Sequence, residues 1–307
     1  MTSSQWRINA IWNRLRRLVG LAALVYLGLV VMLYAFQTHL IFPGSATQGH
    51  PASRLIPPRG CELLRIRTST GAWIRALFGP ALSRDGLPDS EAPTRPTILF
   101  FYGNGMCLAT SLGEFEAFRR LGANVLIPDY LGYGLSQGEP SEAGCYATAE
   151  ACYEALRSRR DVDPDRIVAA GWSLGGAVAI DLAARRPTAG LAVFSSFTSL
   201  AEVVRGYLPW VPAGWLLRHR FESERKISRV RCPILIGHSR DDELIRFAMA
   251  ERLAHAAGGP VELIAIDGAP HNAFFDVGWP SVEEGMIRLL GRVAGENGEL
   301  GSKADAR

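Results

Sequence analysis

Several chemistries lose their usual signatures in this 307-residue sequence. There is no G-x-x-x-x-G-K-[ST], and neither glycine cluster is a G-x-G-x-x-G, so nothing points to a nucleotide or dinucleotide. There is no C-x-x-C, and the five cysteines, an odd count without metal-like spacing, describe neither a zinc site nor a disulfide framework. Cys145 and Cys152 stand seven apart on an expected helix, about 10 Å of axial rise, which is too far to bridge. With Ala149 and Leu156 they form one apolar stripe, a pattern of core packing that leaves the redox compartment open. No Lys/Arg stripe interleaves with aromatics, and a net charge of +3 gives no footprint for nucleic acid. Repeats and low-complexity tracts are also absent. An apolar content of 48 % describes a globular chain with a substantial core.

One long hydrophobic run is present. Leu18 to Phe36 is about nineteen residues of uninterrupted apolar character, enough to cross the hydrocarbon core of a bilayer. Arg7, Arg14, Arg16 and Arg17 precede it, whereas Gln37 to Ser53 carries no Lys or Arg. The positive-inside rule then places the N-terminus in the cytoplasm and the remainder on the opposite side, periplasmic or extracellular in a bacterium. A cleaved signal peptide is the competing reading, but the run exceeds a usual h-region and no small-x-small site follows it. A buried soluble helix would need polar interruptions. The expected organisation is a cytoplasmic segment over 1–17, a single-pass anchor over 18–36, a Pro- and Gly-punctuated connector over 37–60, one domain over 61–294 and a loose tail over 295–307.

Within that domain, Leu63 to Ile66 and Trp73 to Phe78 read as a hairpin about Thr70-Gly71. Short all-apolar strands then alternate with helices. Strands are expected at Thr97–Tyr102, Asn124–Pro128, Ile167–Gly171, Leu191–Ser195, Ile234–Gly237 and Val261–Ile266. Helices are expected at Ala109–Leu121, Glu142–Arg157, Leu174–Arg185, Phe247–Ala257 and Ser281–Val293. This alternation means an α/β fold with a mostly parallel sheet covered on both faces. It is interrupted at 197–231 by an excursion holding the aromatic, uncharged segment Tyr207–Leu217. That segment is expected to cover an acyl pocket or to rest on the membrane with Trp210 and Trp215 at the interface; ordinary packing of a short helix is the alternative.

The sequence around Arg166–Gly176 organises the rest. An apolar strand turns directly into a helix through Gly171-Trp172-Ser173-Leu174-Gly175, a G-x-S-x-G. Such a turn is tight and strained, glycines avoid collisions two positions either side, and the hydroxyl of Ser173 is lifted into the open. A serine hydroxyl is a weak nucleophile. It needs an imidazole to take its proton and a carboxylate to orient the imidazole. Ligands of open α/β sheets sit at the carboxyl ends of the strands. There, Asp241 and Asp242 follow one strand and His271 the next, in the order serine, acid, histidine. Either aspartate could be the acid. His238 lies too close to the acid loop to serve easily as the base, and is expected to hold that loop by hydrogen bonds. His255, His219, His39 and His50 lack the position. Backbone donors for an oxyanion are expected at Leu174 and, in the loop Gly103-Asn104-Gly105-Met106, at Asn104.

Five segments together resemble a membrane-anchored branch of the α/β-hydrolase superfamily that includes protein depalmitoylases and lysophospholipid or monoacylglycerol hydrolases. They are Phe101–Gly105, Asp129–Gly144, the elbow at Ser173, Ser195–Leu200 and Gly268–Asn272. The anchor followed by Gln37–Pro43 is similar too, and the likeness covers about residues 15–290. The resemblance implies Ser173 as nucleophile, Asp242 as acid, His271 as base and Asn104 as a backbone oxyanion donor. This chain departs from the pattern at Tyr102, Leu131, Ser239 and Arg246, where His, Arg, Gly and Pro are usual, and none of these changes removes a reacting group. The expectation is a serine hydrolase cleaving esters or thioesters of acyl chains, needing no metal or organic cofactor and with no protein partner indicated. Amide or peptide cleavage on the same fold, and a non-catalytic binding module, are the alternatives.

Overall fold

A strand built mainly of apolar residues that point to both sides must have both faces covered, and the central strands of this chain are of that kind. A computed structural model describes residues 3–295. A helix α1 (Ser3–Ile41) precedes the hairpin β1 (Glu62–Arg67) and β2 (Trp73–Gly79). There follow β3 (Thr97–Phe101), α2 (Leu112–Arg120), β4 (Asn124–Pro128), α3 (Glu142–Arg157), β5 (Ile167–Trp172), α4 (Leu174–Arg185) and β6 (Gly190–Phe194). The excursion forms α5 (Leu200–Tyr207), α6 (Ala213–Leu216) and α7 (Ser223–Ile227), and the chain closes with β7 (Ile234–Ser239), α8 (Phe247–Ala256), β8 (Val261–Ile266) and α9 (Phe274–Ala294). All residues of β3, β4, β6 and β7 are buried.

The eight strands form one sheet in the order β1-β2-β4-β3-β5-β6-β7-β8. Only the β1–β2 and β2–β4 pairs are antiparallel. Helices α3, α4, α7 and α8 lie side by side on one face. On the other, α2 and α9 meet through Phe118, whose ring lies 5.7 Å from Trp279. Because β3 is flanked by β4 and β5, successive connections leave it in opposite directions. A crevice opens at the carboxyl ends of β3 and β5 for that reason. This is the α/β-hydrolase fold.

Most element bounds agree with the sequence within two residues, and the exceptions have physical causes. The apolar helix does not stop at Phe36. It runs on to Ile41 because the domain grips its last turns: Arg218 N–H donates to Gln37 Oε1 at 2.8 Å and Asn104 Nδ2 donates to Ile41 O at 3.0 Å. The connector thus begins after Ile41 rather than at Gln37. The expected helix over Ala109–Leu121 is a 3-10 turn, Leu108–Thr110, followed by α2. Helix α9 starts at Phe274 instead of Ser281 and takes Pro280 into its body. Packing of the Phe274 and Phe275 rings against Phe194, at 5.9 and 5.5 Å, draws that first turn in. Cys145, Ala149, Cys152 and Leu156 are all buried on α3, and among the described residues the five cysteines are free. Of the expected tail, Gly295 ends α9 in a left-handed conformation and 296–307 lie outside the described residues.

Candidate active site

Ser173 sits between β5 and α4 with φ 54° and ψ −118°, a backbone conformation that non-glycine residues rarely adopt. The glycines beside it are there for space. A Cβ on Gly175 would collide with the carbonyl of Phe101, and one on Gly171 with the carbonyl of Gly175. Both obstacles are backbone and cannot swing aside. Gly175→Ala is therefore expected to cost about 3 kcal/mol or more, at the upper end of overpacking effects, read as a lowered urea midpoint at unchanged m-value.

The loops after β5, β7 and β8 bring three side chains together. Ser173 Oγ lies 3.0 Å from His271 Nε2, and His271 Nδ1 lies 2.7 Å from Asp242 Oδ2. All three are buried. A carboxylate can only accept, so Nδ1 carries the ring proton and donates it to Asp242. Nε2 is left free to accept from the serine hydroxyl. Asp242 Oδ1 in turn accepts from the N–H groups of Leu244 and Ile245 at 2.9 and 2.7 Å. Burial alone would push the Asp242 carboxyl up. Hydrogen bonds from His271 and the Ile245 N–H, together with the His238 Nε2 that approaches Oδ2 to 3.4 Å, outweigh that and hold it well below the ordinary carboxylate range.

Asp241 does something else. Its Oδ2 accepts from the N–H of Gly268 at 2.6 Å, tying the β7 loop to the β8 loop. His238 is buried and donates through Nε2 to Ile245 O at 2.7 Å, which makes it a brace for the acid loop. Two contributors escaped the sequence reading. The indole of Trp172 stacks on the His271 imidazole at 5.3 Å between centroids, and Glu243 Oε2 accepts the His271 backbone N–H at 3.0 Å. Trp172 is a variable position of the G-x-S-x-G pattern and Glu243 stands beside two aspartates, so neither carried a signal of its own.

Asn104 and Leu174, with Gly103 between strand and loop, line one cavity with Ser173 and His271. The N–H of Leu174 is at the start of α4, among the four that have no intrahelical acceptor. A Cβ on Gly103 would come within 2.6 Å of the Trp172 ring, so glycine lets the Gly103–Met106 loop lie close against the indole. The loop is braced from below. Asn104 O accepts from Gly44 N–H at 2.9 Å and from the Tyr133 hydroxyl at 3.0 Å. The buried carboxylate of Asp129 accepts from Tyr102 Oη at 2.9 Å and from the N–H groups of Leu108 and Leu135 at 2.7 and 2.8 Å. Tyr102, one of the departures noted above, thus has a partner for its hydroxyl.

Comparison with known proteins gives the family and the fold. Residues 96–219 match the alpha/beta hydrolase fold family. The chain is 34% identical over 271 residues to an uncharacterized protein of Mycobacterium tuberculosis, covering 88% of this chain and 91% of that one. It is 35% identical over 216 residues to human alpha/beta hydrolase domain-containing protein 17B, covering 69% of each. The chain belongs to the α/β-hydrolase family. The Pyrococcus furiosus esterase Pf2001 has the same fold, with a TM-score of 0.60 at 17% identity over 78% of this chain and 99% of that one.

In this hydrolase the excursion 197–231, termed the cap below, lines one cavity together with Ser173 and the end of α1. The cavity measures about 490 Å³, within the range of roughly 300–1,000 Å³ of small-molecule sites. Leu33, Leu40 and Ile41 of α1 face Val203, Val204 and Leu208 of the cap across it. Tyr207, at the end of α5, donates its hydroxyl to Glu243 O at 2.6 Å and so ties the cap to the acid loop. Where α1 meets the cap, His219 Nδ1 accepts from Glu142 N–H at 3.3 Å, which leaves Nε2–H to donate to Thr38 Oγ1 at 3.2 Å. Burial pushes the His219 imidazole below its ordinary value, in keeping with this neutral form.

Proposed function

We propose that this hydrolase is a membrane-anchored serine esterase or thioesterase that cleaves acyl chains from amphiphilic substrates through an acyl-enzyme on Ser173. The observation that carries the reading is the Asp242–His271–Ser173 relay at the wall of an apolar cavity. His271 Nε2 takes the hydroxyl proton as Ser173 Oγ attacks the carbonyl carbon. The N–H groups of Leu174 and Asn104 receive the oxyanion, and Asp242 stabilises the imidazolium. Collapse of the adduct breaks the bond to the alcohol or thiol, which leaves with the proton from His271. Water then attacks the acyl carbon with His271 again as base, releasing the fatty acid and restoring Ser173. No step calls on a cofactor. The apolar run Leu18–Phe36 within α1, with arginines before it and none directly after, supports an anchor with a cytoplasmic N-terminus and the hydrolase domain on the other side.

The test is a panel of 4-nitrophenyl esters and acyl thioesters of graded chain length, given to the full chain in phosphatidylcholine vesicles. Each methylene that enters the cavity is expected to raise kcat/KM by about fourfold, from about 0.8 kcal/mol per buried CH₂, until the slot is full. Turnover of short and long chains at equal rates would contradict an acyl pocket. No turnover of any ester or thioester would favour a binding module instead.

A further inference from the structure

The position of the cap along α1 has a consequence for how substrate arrives. Tyr26 donates its hydroxyl to the backbone carbonyl of Trp210 at 2.9 Å, and the two rings meet edge-on at 6.2 Å. Tyr26 is ten residues before Phe36, about 15 Å along the helix. In a hydrocarbon core of about 30 Å, an upright α1 would carry the tip of the cap to the middle of the bilayer.

The chemistry of the tip suits that depth. Tyr207–Leu217 has no charged side chain, Trp215 is 92% exposed, and Trp210 is also exposed. Its backbone is largely self-satisfied. Pro209 and Pro212 have no N–H, and the N–H groups of Leu208, Val211, Ala213, Trp215, Leu216 and Leu217 bond within the cap. Hydrocarbon tolerates exposed backbone only on those terms. The first cation after the segment, Arg218, lies over the Tyr34 ring at 5.2 Å, near the end of the apolar run where an interface would be.

The same face of α1 serves both the bilayer side and the reaction site. Ala22, Val25, Leu29, Leu33, Gln37 and Leu40 recur at intervals of three or four and therefore share one side of the helix. Ala22, Val25 and Leu29 line an apolar groove with Trp210, and Leu33, Gln37 and Leu40 line the cavity at Ser173. We infer that the acyl slot is completed by the anchor helix within the leaflet, with Leu33 and Leu40 setting chain-length specificity for acyl chains that enter sideways from the bilayer. This inference rests on the esterase reading. The anchor is then part of the binding site as well as a tether.

The experiment uses the full chain in phosphatidylcholine vesicles and the ratio of kcat/KM for 4-nitrophenyl palmitate to that for 4-nitrophenyl butyrate. Leu40→Trp fills the slot and is expected to lower the ratio at least ~10-fold, since a single methylene in an apolar pocket can shift discrimination that far. Leu33→Ala opens the slot and is expected to shift the same ratio by more than ~4-fold, about one methylene's worth. Val31→Trp, on the opposite side of α1 and outside both the groove and the cavity, should leave it unchanged. Labelling by a short-chain fluorophosphonate reports whether the relay is intact in each variant. If Leu40→Trp loses labelling through misfolding, Leu33→Ala decides. Labelled variants with the unsubstituted ratio would overturn the anchor's role while leaving the esterase reading standing. An unsubstituted chain that neither labels nor turns over ester would remove the esterase reading and this inference with it.

Discussion

Ser173→Ala is expected to lower kcat on acyl esters by on the order of 10⁶, with a much smaller change in KM. The substitution removes one oxygen from a site whose binding surfaces are elsewhere, on α1, the cap and the oxyanion loop. The ground-state complex should therefore form nearly as before. What disappears is the nucleophile that His271 Nε2 faces at 3.0 Å. His271→Ala should cost about as much, because a serine without its base is no better than no serine. The double variant should be hardly worse than either single one, since groups that act as a unit are not additive. Single-turnover measurements on a good ester, made under conditions that saturate the enzyme, check this directly. Losses that multiply in the double variant would mean that the two residues act independently.

Asp242→Asn is expected to lower kcat by on the order of 10⁴. The amide can present its NH₂ to Nδ1, which forces the ring proton onto Nε2 and turns the base away from the serine hydroxyl. Asp241→Asn should do far less, because Asp241 reaches Gly268 and not the imidazole. Equal losses, or the opposite order, would reassign the acid. Stability offers a second readout. The folded-state pKa of Asp242 is depressed, so its contribution is complete above the ordinary carboxylate value of about 3.9 and is lost as pH falls through the lower folded value. Urea unfolding of the unsubstituted protein should therefore weaken over that acid window, and Asp242→Asn should flatten the change.

The parts of this molecule that were legible in the sequence are those written in a short stretch of chain. β5, the turn at Ser173 and α4 follow from one apolar run, two glycines and one more apolar run, so both the strand–helix step and the serine at its apex could be read locally, whereas the burial of that serine could not. The order of acid and histidine after successive strands was also legible, because parallel strands deliver their carboxyl-end loops to the same side. The residues alone left Asp241 and Asp242 open, since adjacent residues in a loop can face opposite ways, and only the resemblance pointed to Asp242. What could not be read was set by contacts between remote segments. Gln37 bonds to the backbone at Leu216 and Arg218, across most of the chain, so a segment that looked like loose connector is helix. Trp172 matters because Gly103 and His271, both remote from it in sequence, lie against its ring. The share of the pocket wall taken by α1 depends on where the cap docks, and no local pattern encodes that.

The central claim, that His271 activates Ser173 as the nucleophile, is tested most directly by locating a fluorophosphonate adduct by peptide mass spectrometry. A single adduct is expected on the tryptic peptide spanning 167–185, at Ser173, forming at a negligible rate in His271→Ala. Ser195 is the informative rival: it directly follows the neighbouring strand β6, also has a positive φ of 41°, and its buried hydroxyl has no partner among the described residues. An adduct at Ser195, or labelling of Ser173 that is indifferent to the loss of His271, would contradict the account.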